Sequence, residues 1–175
     1  MTEQALSNEG VETIAQRLDA LGFEAETRRQ LSAPSLRTFA AITDLWGINE
    51  TQRRLILGSP ARSTFCRWRK RAREHYPLVL PVETLRRISI VLGIHGALTV
   101  LFQNEREGVA WLKQPHSAPS FGGHPPMDLI TDGTFEALIT VQRFLDAARN
   151  GIYMPPDPTE ADFRPYDDRE IIFKE

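Results

Sequence analysis

The stretch SPARSTFCRWRKRARE, residues 59–74, decides the fold because one side of it is apolar and the other is strongly basic. Four apolar residues recur at steps of four, three and four, the spacing of one face of an α-helix: Ala61, Phe65, Trp68 and Ala72. Ser59 is a typical N-cap residue and Pro60 fits the first helical position, so the helix is predicted to begin there.

The remaining positions of this helix carry its positive charge. Six basic residues stand against one acid, Glu74: Arg62, Arg67, Arg69, Lys70, Arg71 and Arg73. At about 100° per residue, the positions directly opposite the apolar stripe are Ser63, Cys66, Arg67 and Lys70. A helix that buries one edge and presents a cationic edge has the form of a DNA recognition helix. A solvated, arginine-rich surface helix is the alternative interpretation.

Charge is segregated along the chain, although the net charge is only −2. Eight of the 21 basic residues fall between Arg53 and Arg73 with no acid among them, whereas residues 155–175 hold seven acids and three bases. The basic stretch suits a polyanionic partner, while the acidic end itself resembles a polyanion.

Composition also disfavours several classes of protein. No apolar run reaches the length of about 18 residues that a membrane span needs, and the N-terminus lacks the basic and apolar regions of a secretory signal. The single cysteine, Cys66, excludes an internal disulfide framework and fits a reducing cytosol. We therefore expect a cytoplasmic protein with no membrane partner and one or two small domains.

Neighbouring segments place the basic stretch in a helix-turn-helix. Residues 36–46 are predicted to form a helix closed by Gly47, and Asn49 caps a helix that ends at Gly58. Because the next helix is the basic one, the pair has the arrangement helix, glycine-containing turn, helix.

Flanking segments complete an all-α prediction. Upstream, residues 9–22 are predicted to be helical and residues 23–35 to form a polar hinge. Downstream, one helix runs from Pro81 to Gly93 and residues 94–103 form a second, buried helix. No period-two alternation occurs in residues 9–150, so no sheet of any size is expected. The large core residues are predicted to be Trp46, Phe65, Trp68, Leu85 and Leu92.

The second half is predicted to contain short elements and one long helix. These are a helical turn at 108–112 with Trp111, a loop at 114–126, a short helix opened by Pro126, and a helix at 131–150 ended by Asn150 and Gly151. The acidic tail from Pro155 onward contains apolar residues, which favours docking on a partner over a merely solubilising role; a disordered end is the alternative interpretation.

Together these elements resemble the antitoxins of the Xre/MbcA/ParS group, whose partners are RES-domain toxins that consume or transfer from NAD. Four passages carry the resemblance, in the family's order and spacing: LRTFAAITDLWGINETQRRLILGSPARSTFCRWRKR (36–71), LPVETLRRISIVLGIHGALTVLF (80–102), AWLKQPHSAPSFGGHPPMDLITDG (110–133) and ITVQRFLDAARNGIY (139–153). The second is similar to the family's closing pair of helices, and the third to the start of its toxin-binding region.

The resemblance implies an antitoxin that dimerises, neutralises a toxin through its C-terminal half and binds its own operator through its helical module. The predicted domains are an N-terminal helical extension (1–35), an Xre-like helix-turn-helix module (36–105), a toxin-binding domain (106–154) and an acidic-aromatic tail that docks on the toxin (155–175). The matching passages cover neither the N-terminal extension nor the tail.

Two groups of site residues are predicted. The DNA-binding group is Arg62, Ser63, Arg67, Arg69, Lys70, Arg71 and Arg73. The toxin-binding group is Trp111, Phe121, Met127, Leu129, Ile130, Tyr153, Phe163, Tyr166, Asp167, Asp168, Glu170 and Phe173. Since a toxin that binds the phosphates of NAD should have a cationic cleft, the acids of the tail would stand in for those phosphates.

No catalytic or metal-binding constellation is found, so neither an enzyme nor a cofactor is predicted. Cys66 has no activating histidine or acid at a motif spacing, and the four histidines lack the spacing of a zinc site. Gly122 and Gly123 indicate a turn rather than a phosphate loop. Two alternatives stay open: a free-standing helix-turn-helix transcription regulator whose C-terminal half only dimerises, and an inhibitor without any DNA contact.

Overall fold

The structure, a computed structural model, describes residues 25–151. Within that range all regular secondary structure is helical and no strand occurs, so the predicted all-α fold class is confirmed. The helices are α1 (Ala25–Leu45), α2 (Glu50–Ile56), α3 (Arg62–Arg73), α4 (Val82–Leu101), α5 (Glu105–Lys113), α6 (Pro126–Thr131) and α7 (Phe135–Arg149). The predicted helix at residues 9–22 and the tail lie outside the described residues.

Helix α1 begins inside the segment that was expected to be a hinge. It runs for 21 residues and continues through Pro34, although proline removes one backbone N–H from the helix. Ser32, which looks like a loop residue, is fully buried, and its Oγ donates to the Arg28 carbonyl at 2.6 Å and accepts from the Leu80 N–H at 2.8 Å. The hinge prediction for residues 23–35 is therefore wrong from Ala25 onward.

The helix-turn-helix forms with one change at the start of its second helix. Asn49 caps α2 as predicted, in a capping box with Gln52. However, Ser59 has a positive φ of 58° and belongs to the connecting turn, so α3 begins at Arg62 with no side-chain cap. The predicted start at Ser59 is wrong, and Ala61 is exposed rather than part of the buried stripe.

The rest of the stripe and the other predicted core residues are inside the molecule. Trp46, Phe65, Ala72, Leu85 and Leu92 are buried, and Trp68 packs against the same core while remaining half-buried.

Helix α4 is a single helix where two were predicted. The expected break at Gly93 does not occur: α4 continues through Gly93, which lies against α7, where an added Cβ would be 2.7 Å from Gln142 Nε2. By length and composition α4 could cross a membrane, but 67% of its most apolar window is buried inside the protein. It is the central core helix, with α1 and α7 packed against it.

The C-terminal elements follow the predictions closely. Helix α5 is longer than the expected turn at 108–112, Pro126 opens α6, and α7 ends at Asn150 and Gly151, whose φ is +75°. The predicted start of α7 at Thr131 is wrong, since Thr134 is its N-cap and accepts from the Ala137 N–H.

A buried arginine joins the helix-turn-helix to these C-terminal elements. Arg87, on α4, donates from Nη1 to the carbonyl of Ile56 at 3.3 Å and to the carbonyl of Gly133 at 2.9 Å. Its Nε donates to Glu83 Oε1 at 3.0 Å, and the guanidinium lies 5.6 Å from the centre of the Phe135 ring. Arg87 therefore donates hydrogen bonds both to the end of α2 and to the turn between α6 and α7.

Replacing Arg87 by methionine should lower the free energy of unfolding by about 2–4 kcal/mol, because the two carbonyls lose their donor in a buried site. Urea titration followed by circular dichroism measures this. Arg106→Met, the same change at an exposed position of α5, should shift the midpoint little. If the two substitutions shift the unfolding midpoint equally, the buried contacts of Arg87 do not stabilise the fold.

His95 is a second buried polar group on α4. Only 3% of the residue is exposed, and it lies beside Trp46, with ring centres 6.3 Å apart. Burial lowers the pKa of His95 below its ordinary value of 6.5, and the carboxylate of Glu105 acts in the opposite direction. The folded protein therefore binds a proton at this site less readily than the unfolded chain does.

Acid should consequently destabilise the protein through His95. As pH falls below 6.5, the unfolded chain gains protons that folded His95 resists, so the free energy of unfolding decreases. In His95→Gln this contribution should disappear, while His124→Gln, at an exposed site, should keep it. Urea unfolding between pH 5 and 7.5 gives the comparison, and identical pH profiles for all three proteins would refute it.

Candidate functional site

The residues predicted to bind DNA all lie on the surface of α3. Each is exposed, and together they form one basic face that we call the α3 face: Arg62, Ser63, Arg67, Arg69, Lys70, Arg71 and Arg73. The helix turns its Phe65 and Ala72 inward, which places the charged positions outward, as the spacing predicts. The geometry suits contact with a polyanion.

Two of the eight clustered basic residues make hydrogen bonds that hold the fold. Arg53 is buried; its Nε donates to the Ile48 carbonyl at 3.0 Å and its guanidinium pairs with Asp44. Arg54 Nε donates to the carbonyl of Pro60 at 2.9 Å, which holds the turn between α2 and α3.

Two further arginines share one carboxylate. Arg62 Nε donates to Glu50 Oε1 at 3.1 Å, and Arg69 Nη1 donates to Glu50 Oε2 at 3.4 Å. Arg69 also lies over the ring of Phe65, 5.6 Å from its centre. Sequence reasoning missed this role of Glu50, although it is the only acid between Asp44 and Glu74.

Four cations of the α3 face are left without a carboxylate. Among residues 25–151, no ion pair is formed by Arg67, Lys70, Arg71 or Arg73. Lys70 and Arg73 also border a groove between α1 and α3 whose floor includes Leu36 and Ala72. A phosphate group would not have to displace an ion-pair partner among the described residues to reach these four side chains.

A cluster of aromatic rings organises the C-terminal half. Trp111 stacks on His116 with ring centres 4.6 Å apart and on Phe144 at 5.9 Å, and Phe121 meets Phe144 edge to face at 4.7 Å. His116 Nε2 also lies 2.8 Å from the Trp111 carbonyl oxygen. The cluster fixes the 114–125 loop against α5 and α7. His116 and Phe144 were not predicted as site residues, and no motif marked them.

The predicted toxin-binding residues divide by burial. Trp111, Met127 and Leu129 are partly exposed, so a partner can reach them. Phe121 is only 4% exposed and Ile130 is fully buried, so their side chains support this surface from inside and do not form it. The other predicted residues lie outside the described residues: Tyr153, Phe163, Tyr166, Asp167, Asp168, Glu170 and Phe173.

The described part of the chain contains no candidate metal site. Within residues 25–151, no three His, Cys, Asp or Glu side chains come together in a way that could hold an ion. Cys66 is exposed on the α3 face and unbonded.

The helical unit built around the aromatic cluster matches a known protein family. The family model described as "Antitoxin Xre/MbcA/ParS C-terminal toxin-binding domain" matches residues 97–151, from the last turn of α4 to the end of α7. Residues 97–151 are therefore the toxin-binding domain of an Xre/MbcA/ParS antitoxin.

One curated relative extends the similarity beyond that domain. The uncharacterized protein y4oB of Sinorhizobium fredii (strain NBRC 101917 / NGR234) is 34% identical over 116 residues, which is 66% of this chain and 84% of that protein. No solved structure matches the chain.

Proposed function

We propose that this protein neutralises a RES-domain toxin, one that degrades NAD or transfers ADP-ribose, by occluding the toxin's NAD site. The observation that carries the proposal is the toxin-binding domain at residues 97–151, and the choice of toxin rests on the resemblance of the four passages. The protein acts in the cytoplasm as a homodimer within a larger complex with its toxin. We assign it no catalytic role and no cofactor.

The docking surface proposed for the toxin is formed by the partly exposed residues of α5 and α6, namely Trp111, Met127 and Leu129. Aromatic and methionine side chains commonly anchor protein interfaces. The aromatic cluster beneath supports the proposal, because a rigid base reduces the ordering cost of association.

Co-purification with the product of an adjacent gene tests this function directly. The untagged toxin should elute with the tagged antitoxin at a fixed ratio, and co-expression should restore the growth that the toxin alone abolishes. If the neighbouring gene encodes no such toxin, or if growth is not restored, the proposal fails.

We assign the occlusion of the NAD site to the acidic-aromatic tail. Its acids Asp167, Asp168 and Glu170 would meet the phosphate-binding groups of the toxin, and Phe163, Tyr166 and Phe173 would supply buried contacts. This assignment rests on composition, because the tail lies outside the described residues.

A chain truncated after residue 154 should therefore still bind the toxin but should no longer block its NAD consumption. Co-purification measures binding, and an NAD-consumption assay on the purified complexes measures inhibition. In the matched control, Asp167→Asn, Asp168→Asn and Glu170→Gln keep the length and aromatic residues of the tail but remove three charges, which should weaken inhibition partially. Full inhibition by the truncated chain would move the blocking role to the 97–151 domain.

We further propose that the α3 face binds the operator of the protein's own operon and represses it. Four of its cations form no ion pair within residues 25–151, and the helix-turn-helix presents the face outward. Arginine can contact guanine with two hydrogen bonds, whereas lysine and flanking arginines more often neutralise phosphates.

Arg67→Ala should weaken operator binding by about 1–3 kcal/mol if Arg67 contacts a base. Fluorescence anisotropy with a labelled duplex from the upstream region measures the dissociation constant at several salt concentrations. Arg106→Ala, which removes the same charge from α5, serves as the control. Unchanged affinity of the Arg67 variant across the salt series would exclude this residue from the interface.

The exposed α3 face also favours a second candidate, a free-standing transcription regulator whose C-terminal half only dimerises. The two functions differ in their dependence on a toxin: the regulator would bind DNA and have no toxin partner in co-purification. An inhibitor without DNA contact would show the reverse result, with no gel shift on its own upstream region at any salt concentration.

A further inference from the structure

Glu50 is a fixed negative charge beside the α3 face. It is the first residue of α2, whose start is held by two reciprocal hydrogen bonds of 3.0 Å between Asn49 and Gln52. The carboxylate is therefore carried on an anchored helix turn and not on a loose loop.

The two arginines that Glu50 binds lie on one side of α3. Arg62 and Arg69 are seven residues apart, close to two helical turns, so a single carboxylate can reach both. The Arg62 side chain is 77% exposed and the Arg69 side chain 46% exposed. Both pairs thus lie where a phosphate group could compete with the carboxylate for the same guanidinium groups.

We propose that Glu50 sets the DNA selectivity of the α3 face by holding Arg62 and Arg69 away from the phosphate backbone. The inference rests on the proposed operator binding and adds a positioning residue to it. Contacts to phosphate occur on any sequence, whereas contacts to base edges distinguish sequences. Withholding two of the six basic side chains therefore lowers affinity for all DNA and leaves base reading to other residues, which raises the ratio of specific to non-specific binding.

Glu50→Gln is the matched substitution, because it keeps the size of the side chain and leaves the Asn49–Gln52 capping box in place. With two arginines released, affinity for a scrambled duplex should rise roughly three- to tenfold at 0.1 M salt, and the slope of log affinity against log salt should steepen by about one to two. Affinity for the upstream duplex should rise less, so the specificity ratio should fall. Glu136→Gln, which makes the same charge change on α7, should leave slope and ratio unchanged.

A second substitution does not touch Glu50. Because Glu50 cancels one of the two charges on Arg62 and Arg69 and holds both side chains, replacing both by glutamine in the otherwise native chain should reduce scrambled-duplex affinity only modestly. Replacing Arg67 and Arg71 by glutamine should reduce that affinity and flatten the salt slope. If both pairs of substitutions reduce binding equally, Glu50 does not restrain its partners.

The combined variant separates restraint from simple charge repulsion. When Arg62 and Arg69 are both glutamine, Glu50→Gln should raise scrambled-duplex affinity by much less than it does in the native chain, because only direct charge repulsion is then relieved. An increase as large as in the native chain would mean that Glu50 acts by repelling DNA directly, which contradicts the proposal. If the native chain binds neither duplex, the operator function itself fails; if it binds the operator and Glu50→Gln leaves slope and ratio unchanged, only the role of Glu50 is refuted.

Discussion

The position of the helix-turn-helix relative to the toxin-binding domain depends on the buried guanidinium of Arg87. A guanidinium offers five N–H donors and is costly to bury unless acceptors surround it. Here the acceptors come from three places: the end of α2, the turn before α7 and Glu83 on α4 itself. Because the same group satisfies all three, none of these elements can shift without exposing a carbonyl or a charge. Within residues 25–151, the helix-turn-helix and the C-terminal elements thus pack together on α4.

Charge is used in two different ways on the two sides of the helix-turn-helix. Inside, Arg53 and Arg87 are almost fully buried, and each is matched by carboxylate and carbonyl oxygens. Outside, the basic residues of α3 either share Glu50 or form no ion pair with another residue of the 25–151 range. The basic residues therefore differ in burial, although the sequence alone does not distinguish them. Burial separates cations that hold the fold from cations that are free to meet a partner.

Several helix ends can be predicted from the sequence because they depend on nearby capping residues. Asn49, Pro126 and the Asn150–Gly151 pair mark helix ends that the structure confirms, because caps and turns act within a few residues. Prediction from the sequence fails where tertiary packing decides. Pro34 and Gly93 suggest breaks but lie inside long helices, one of which buries Ser32 while the other packs against α7.

The candidate site follows the same division. Helical periodicity alone places the cations of α3 outward. Periodicity cannot show that Phe121 and Ile130 are covered by their own domain, nor that Glu50 faces Arg62 twelve positions away. Both facts depend on how distant segments meet.

Because α4 is shared by both halves, proteolytic cleavage of one half would affect the other. The first half of α4 packs beneath the helix-turn-helix, and its last turn already belongs to the matched C-terminal domain. A protease that cuts between α5 and α7 would uncover apolar surface of α4 and remove the acceptor that Gly133 provides to Arg87. Loss of the C-terminal elements would therefore also weaken the packing that supports the helix-turn-helix.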